Sequence, residues 1–275
     1  MGKDQYLSEI DAAFGGWEAE DFTIRHKIRE TRILIASDAH LPYVDRGLLA
    51  QMRRAIHRYN IRCVVWLGDL FDMHKFSSYG QTDYSLTWNK EKEIATNIIG
   101  RIAADLREND GYQVISRGNH DYRWIKKLGD HEGMMGLVSS ISPELGVLLS
   151  KGEIIVSDNP TLEGVPDANG KMTWLFTHPA QFKQPFGTPS QMALMEQMNV
   201  ASGHAHHFGI TRDPSNKFWS VETGGLFLDK SFEYVQRNPS TMRRMVSGFW
   251  VIPGLDEMPL GFTNFGDTSK GGDNE

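Results

Sequence analysis

Three short apolar runs, RILIASD, CVVWLGD and YQVISRGNHD, each end in aspartate, asparagine or histidine, and this pattern constrains the fold most. A few consecutive apolar residues without polar alternation mark a strand buried on both faces. Between the first two runs, Leu48, Leu49, Met52, Ala55, Ile56 and Tyr59 recur at helical spacing, with Asp45 placed to cap the start. Ile94, Ile98, Ile102 and Leu106 predict a second helix. GEIIVSD, MTWLFTHP, NVASGHAH, FWSVETGG and GFWVIPG predict further strands, with a helix over Ser190–Met198. Strand–helix alternation followed by closely spaced strands predicts an α/β sandwich of two sheets flanked by helices.

The bulk properties accord with one domain over residues 31–262 in a chain of 275 residues. Residues 1–30 read as an N-terminal extension, with a short helix around Leu7, Ile10 and Phe14. Residues 263–275 are polar and expected to be a disordered tail. The single cysteine, Cys63, lies in an apolar run, so it is expected in the core of a protein from a reducing compartment. No apolar run approaches the ~20 residues of a membrane span, and no signal peptide is visible, so a soluble cytoplasmic protein is expected. With 29 basic and 35 acidic side chains the net charge is −6, which excludes a uniformly basic nucleic-acid-binding surface but leaves room for a local groove.

The polar residues gather at one kind of place. Asp38 and His40 follow the first buried run, Asp69 and Asp72 the second, and Asn119, His120 and Asp121 the third. His178 ends another, and His204 and His206 follow the next. Carboxyl ends of strands are where α/β sheets build their ligand sites. Alone, His40 or His178 would read as a hydrogen-bonded core histidine; five such clusters in one chain point to a shared site. Asp, His and Asn without Cys form a donor set suited to Mn, Fe, Zn or Mg.

Together D-A-H (38–40), G-D-L-F-D (68–72), G-N-H-D (118–121), His178 and G-H-A-H (203–206) resemble, in order, the five motifs of calcineurin-like metallophosphoesterases. The resemblance covers residues 33–206 and is nearest to small stand-alone members, phage-encoded ones included. It implies an αββα sandwich of two mixed sheets around a binuclear site. One ion would take Asp38, His40 and His206, the other Asn119, His178 and His204, with Asp69 bridging. Manganese is expected first, with iron, zinc, nickel or magnesium as alternatives. His120 matches the family's general acid and Asp72 the carboxylate that orients it. Two divalent ions against two ligand carboxylates leave a charge of about +2, which attracts a phosphoester and lowers the pKa of a bridging water towards ~7.

The expected activity is therefore phosphoester hydrolysis by a metal-bridging hydroxide. Ser/Thr protein phosphatases carry an arginine directly after G-D-x-x-D, where this chain has Met73. With no arginine clamp visible, a phosphodiester is preferred over a monoester. A DNA or RNA nuclease is one alternative and a catalytically silent metal-binding interaction module another. Arg117, Arg123 and His74 are candidate substrate contacts, set against a solvated basic face and an exposed loop. Phe76, Tyr79, Tyr84 and Trp88 either stack on a base or pin their own loop. Asp121 reads as a cap or a catalytic support, and His207 as a rim residue.

Overall fold

Thirteen strands and three helices order a computed structural model that describes residues 25–73, 87–123, 154–157, 160–181, 185–228, 245–263 and 266–267. The elements, in chain order, are β1 (His26–Ile28), β2 (Ile33–Ala36), α1 (Arg46–Arg58), β3 (Cys63–Leu67), α2 (Trp88–Arg107), β4 (Tyr112–Ser116), β5 (Ile154–Ser157), β6 (Thr161–Pro166) and β7 (Met172–Thr177). They continue with α3 (Gly187–Glu196), β8 (Asn199–Ser202), β9 (Phe208–Arg212), β10 (Trp219–Thr223), β11 (Gly248–Ile252), β12 (Leu260–Thr263) and β13 (Gly266–Asp267).

One sheet runs β13-β12-β11-β2-β3-β4-β5 and the other β1-β6-β7-β8-β10-β9. Both are mixed: β2 to β5 are parallel while β11 opposes β2, and β7, β8 and β10 are parallel while β9 opposes β10. The buried runs explain the layering, because successive side chains of a strand point to opposite faces. Ile33, Ile35, Cys63, Val65, Leu67 and Val114 face inward, meeting Leu162, Trp174, Phe176, Ala201 and Val221 of the second sheet. Leu34, Ala36, Val64, Trp66 and Ile115 face the other way, onto α1 and α2. On the far side, Ala193 of α3 packs on Leu175 and Val200. The order of layers is helix, sheet, sheet, helix, as the sequence pattern predicts.

Helix α1 starts where Asp45 accepts hydrogen bonds from the N–H groups of Gly47 and Leu48, at 2.7 and 3.1 Å. It buries Leu48, Met52, Ala55 and Ile56. In α2 the fully buried stripe is Ala95, Ile99, Ile102 and Leu106, so the helix is rotated by about one residue from the stripe expected at Ile94 and Ile98. The reason is size: Ala95 permits close approach to the sheet, while Ile98 packs at the margin of the same core. Helix α3 begins three residues earlier than the stretch predicted from Ser190.

Strands β1, β6, β9, β12 and β13 were not expected from the apolar runs. β6 contains Gly164 and Pro166, and β9 is a half-exposed edge strand; neither shows a continuous apolar run. Residues 26–28, within the expected N-terminal extension, pair in parallel with β6, and Gly266–Asp267 of the expected tail pairs with β12. The helix expected around Leu7, Ile10 and Phe14 lies outside the described residues. No described helix is long and apolar enough to cross a membrane.

Phe176, fully buried between the sheets, stacks on Trp174 and covers Gly164 of the neighbouring strand. Phe176→Ala is expected to lower stability by ~3–5 kcal/mol, read from urea denaturation, because the strand beneath has no side chain to fill the space.

Candidate metal centre

Five strands aim their carboxyl ends at one place. β2, β3 and β4 of the first sheet deliver Asp38 and His40, Asp69 and Asp72, and Asn119 and His120; β7 and β8 of the second deliver His178, His204 and His206. Parallel pairing within each group puts these ends level. The ladders also continue into the turns: Asp38 N–H donates to the Gly68 carbonyl at 3.0 Å, His40 N–H to Asp69 at 3.0 Å, and Gly203 N–H to Thr177 at 3.0 Å.

Several of these side chains converge. Ligand atoms of Asp38, His40 and His206 lie within 4.8 Å of one another, as do those of Asp69, His178 and His204. His206 Nε2 is 3.0 Å from Asp38 Oδ1, and His178 Nε2 is 3.5 Å from Asp69 Oδ2 and 3.3 Å from Asn119 Oδ1. Asp69 also groups with His40 and His120, so it stands between the two triads. This donor set, largely buried and free of thiolate, fits hard-to-borderline divalent cations.

The backbone around these residues is unusual. Asp38, His40, Asp69, His204 and His206 all have positive φ, between 44° and 74°. For a non-glycine residue that conformation costs roughly 1–2 kcal/mol, least for Asp, Asn and His. The turns are held there by donors to the ligands themselves: His120 N–H to Asp69 Oδ1 at 2.7 Å and His204 N–H to Asp38 Oδ2 at 3.0 Å. Two glycines make room. A Cβ on Gly68, itself at φ +75°, would strike the His178 ring, and one on Gly118 would strike the Asp69 carboxylate.

Charge in the cluster is strongly redistributed. Burial opposes ionisation of Asp38, but the His206 and His178 imidazoles outweigh it and hold the carboxyl down, at about 2. Burial likewise opposes Asp69, and His178 and His120 hold it well below the ordinary carboxylate range. Asp72 is lowered against burial by hydrogen bonds from His120 and His40. Burial disfavours charging of His178, yet Asp69 and Asp38 lift it to about 10. The site is thus a pocket of ionised carboxylates that draws positive charge inward, as a cation site does.

His120 stands beside the ligand groups. Its Nδ1 lies 3.5 Å from Asp72 Oδ1 and 3.1 Å from the Asp72 carbonyl, and the same carboxylate oxygen is 3.3 Å from His40 Nδ1. Asp121, read from the sequence as a cap or a catalytic support, ties two turns together. Buried, it accepts from Gly118, Leu70 and Phe71 N–H groups, stapling the G-D-L-F-D turn to the G-N-H-D turn. Met73 is fully buried, so its side chain supplies nothing to a substrate.

Arg123 enters the site from the other loop: Nη1 donates to the Asp72 carbonyl at 2.9 Å and Nη2 lies 2.6 Å from His120 Nε2. This places one arginine beside His120, where the sequence shows no arginine clamp. Arg117 stacks over Tyr122 instead. Trp88 packs against Phe71, pinning its own helix. His74, Phe76, Tyr79 and Tyr84 lie outside the described residues.

Two supporting carboxylates escaped the sequence reading. Glu222 of β10 is buried, lies 3.2 Å from His207 Nδ1 and accepts from Phe186 N–H at 2.9 Å. His207, partly exposed, thus has its Nδ1 turned towards a buried carboxylate. A lone acid in the apolar strand FWSVETGG was the available signal. Glu91, in the first turn of α2, accepts from Met73 N–H at 2.9 Å. Nothing in WNKEKEIA separates it from a solvated helix acid.

No protein-family model matches the chain, and no curated protein matches it. Among solved structures, it is similar to Vps29 of Chaetomium thermophilum at 12% identity and a TM-score of 0.41, covering 85% of this chain and 89% of that one. Vps29 of Entamoeba histolytica in complex with Zn2+ gives 11%, 0.40, 84% and 92%. TT1561 of Thermus thermophilus gives 9%, 0.34, 71% and 90%. Likenesses this distant assign the chain neither a family nor an activity.

Gly118→Ala is expected to leave the chain folded by circular dichroism while weakening divalent-ion binding ~10–100-fold in calorimetric titrations, because Asp69 must move. Burial raises the Glu91 carboxyl from 4.5 to about 8. Between those values the unfolded chain holds fewer protons than the folded one, so this group makes stability fall as pH rises. Glu91→Gln should remove that contribution. Its stability relative to the parent protein should grow from pH 4.5 towards 8, and a constant difference across a denaturation series would refute it.

Proposed function

We propose that this chain is a metal-dependent phosphoester hydrolase of the calcineurin-like type, in the manner of its small stand-alone members, phage-encoded ones among them. The observation that carries the reading is the place of Asp69 in two groups of donor atoms, His40–Asp69–His120 and Asp69–His178–His204, the first of which shares His40 with Asp38–His40–His206. One carboxylate shared by two donor groups is the arrangement a binuclear centre requires. Asn119, 3.3 Å from His178, completes the second set. Manganese is the first ion to try, with iron, zinc, nickel and magnesium beside it. A buried Cys63 thiol suits a cytoplasmic protein.

Two divalent ions bound there would supply Lewis-acid charge and a water acidified towards ~7. The chain's own residues do the rest. Asp38 and Asp69, held ionised, fix the positive charge in the seam between the sheets. His120 donates a proton to the leaving oxygen, a role worth ~10²–10⁴ in rate. Asp72 holds the His120 ring through Nδ1 and leaves Nε2 turned towards Asp69, 4.0 Å away. The same carboxylate steadies His40, so acid and ligand share one support. A silent metal-binding module would need neither contact.

Metal-loaded protein should hydrolyse p-nitrophenyl phosphate or bis-p-nitrophenyl phosphate, with nucleotides and single- and double-stranded oligonucleotides as further substrates in the panel. Asp69→Asn is expected to abolish loading of two ions by elemental analysis. His120→Ala should keep both ions and lose ~10²–10⁴ of turnover. His120 also groups with His40 and Asp69, so an ion lost from His120→Ala would make it a ligand and defeat its role as acid.

A further inference from the structure

We propose that Arg123 recognises the phosphoryl group and selects a phosphomonoester dianion over a diester; this rests on the hydrolase reading above. Arg123 is three residues after His120, and its guanidinium bridges the Asp72 carbonyl, at 2.9 Å, and His120 Nε2, at 2.6 Å. A guanidinium has five donors and no acceptor. His120 Nε2 is therefore the accepting nitrogen, and the ring proton sits on Nδ1, facing Asp72. Among the described residues no carboxylate forms an ion pair with Arg123, so none of them compensates its charge where it stands.

Its position is the second ground. His120 Nε2 is 4.0 Å from Asp69 Oδ2, so the guanidinium and this carboxylate flank the same ring nitrogen. A phosphoryl group facing Asp69 comes within reach of the guanidinium. Phosphoryl oxygens are far better partners for a guanidinium than an imidazole nitrogen, because the bonds are charge-assisted and bidentate. Arg123 also stands on the atom that must approach the leaving oxygen. Exchanging Nε2 for a phosphoryl oxygen frees that atom to take a proton from solvent, and this is the proton it passes to the leaving oxygen.

Count and charge then separate the substrates. A monoester offers three unesterified oxygens and two negative charges; a diester offers two oxygens and one charge. An added guanidinium has an oxygen left to hold only in the monoester.

The test uses metal-loaded parent protein, Arg123→Ala and Arg123→Lys, with ion content and circular dichroism measured on each. Inorganic phosphate is titrated calorimetrically, and kcat/KM is measured on p-nitrophenyl phosphate and its bis ester. Arg123→Ala should keep both ions, bind phosphate ~10–100-fold more weakly and lower the monoester-to-diester ratio of kcat/KM at least ~10-fold. Arg123→Lys should recover part of the phosphate affinity without the bidentate geometry. Unchanged phosphate affinity, or equal losses on both esters, would overturn the proposal. A loaded parent protein that turns over neither ester would overturn the hydrolase reading alone, and the phosphate titration would still decide whether Arg123 holds phosphate.

Discussion

Two carboxylates, Asp38 and Asp69, are buried in the seam between two sheets, and the surrounding structure is arranged to keep them charged. Removing an ionised carboxylate from water costs several kcal/mol even after relaxation. Here imidazoles from the opposite sheet and backbone N–H groups of neighbouring turns offset that cost. The balance leans towards a demand for more positive charge. His178 shows it, held protonated up to about 10 despite its burial.

Geometry follows from the same demand. Left-handed backbone at Asp38, His40, Asp69, His204 and His206 would not persist in free turns. It persists because each turn is fastened to the next. Asp121 staples the turns after β3 and β4, and the ladder bonds beyond β2 and β7 fasten the others. Strain at a site survives only when its surroundings over-determine it. Outside this ring, Glu91, Glu222 and Asp72 form a second layer of carboxylates. Each accepts from, or pairs with, a residue in or next to a motif turn.

Much of this was legible in the residues. Apolar runs that alternate with helical stripes predict buried strands and covering helices, and their polar ends predict where ligands gather. The pattern read through because continuous burial requires continuous apolarity, as in β2, β3 and β11. Strands that lie at an edge or carry Gly and Pro leave no such trace, and β6 and β9 were missed for that reason. The rotation of α2 onto Ala95 and Ile99 depends on how near the helix sits to its sheet, which no periodicity encodes.

Side-chain partners across loops were not legible at all. Arg123 and Arg117 sit in the same basic stretch with the same sequence merit, yet one reaches the His120 ring and the other stacks on Tyr122. His207 reads like a bystander beside His206 until β10 brings Glu222 against it. Residue type and strand-end position are local properties, so the chain alone specified which groups can bind cations and on which elements they stand. Which of them meet, and which arginine reaches His120, depend on the two sheets closing over one seam. That is a long-range event, and packing alone decides it.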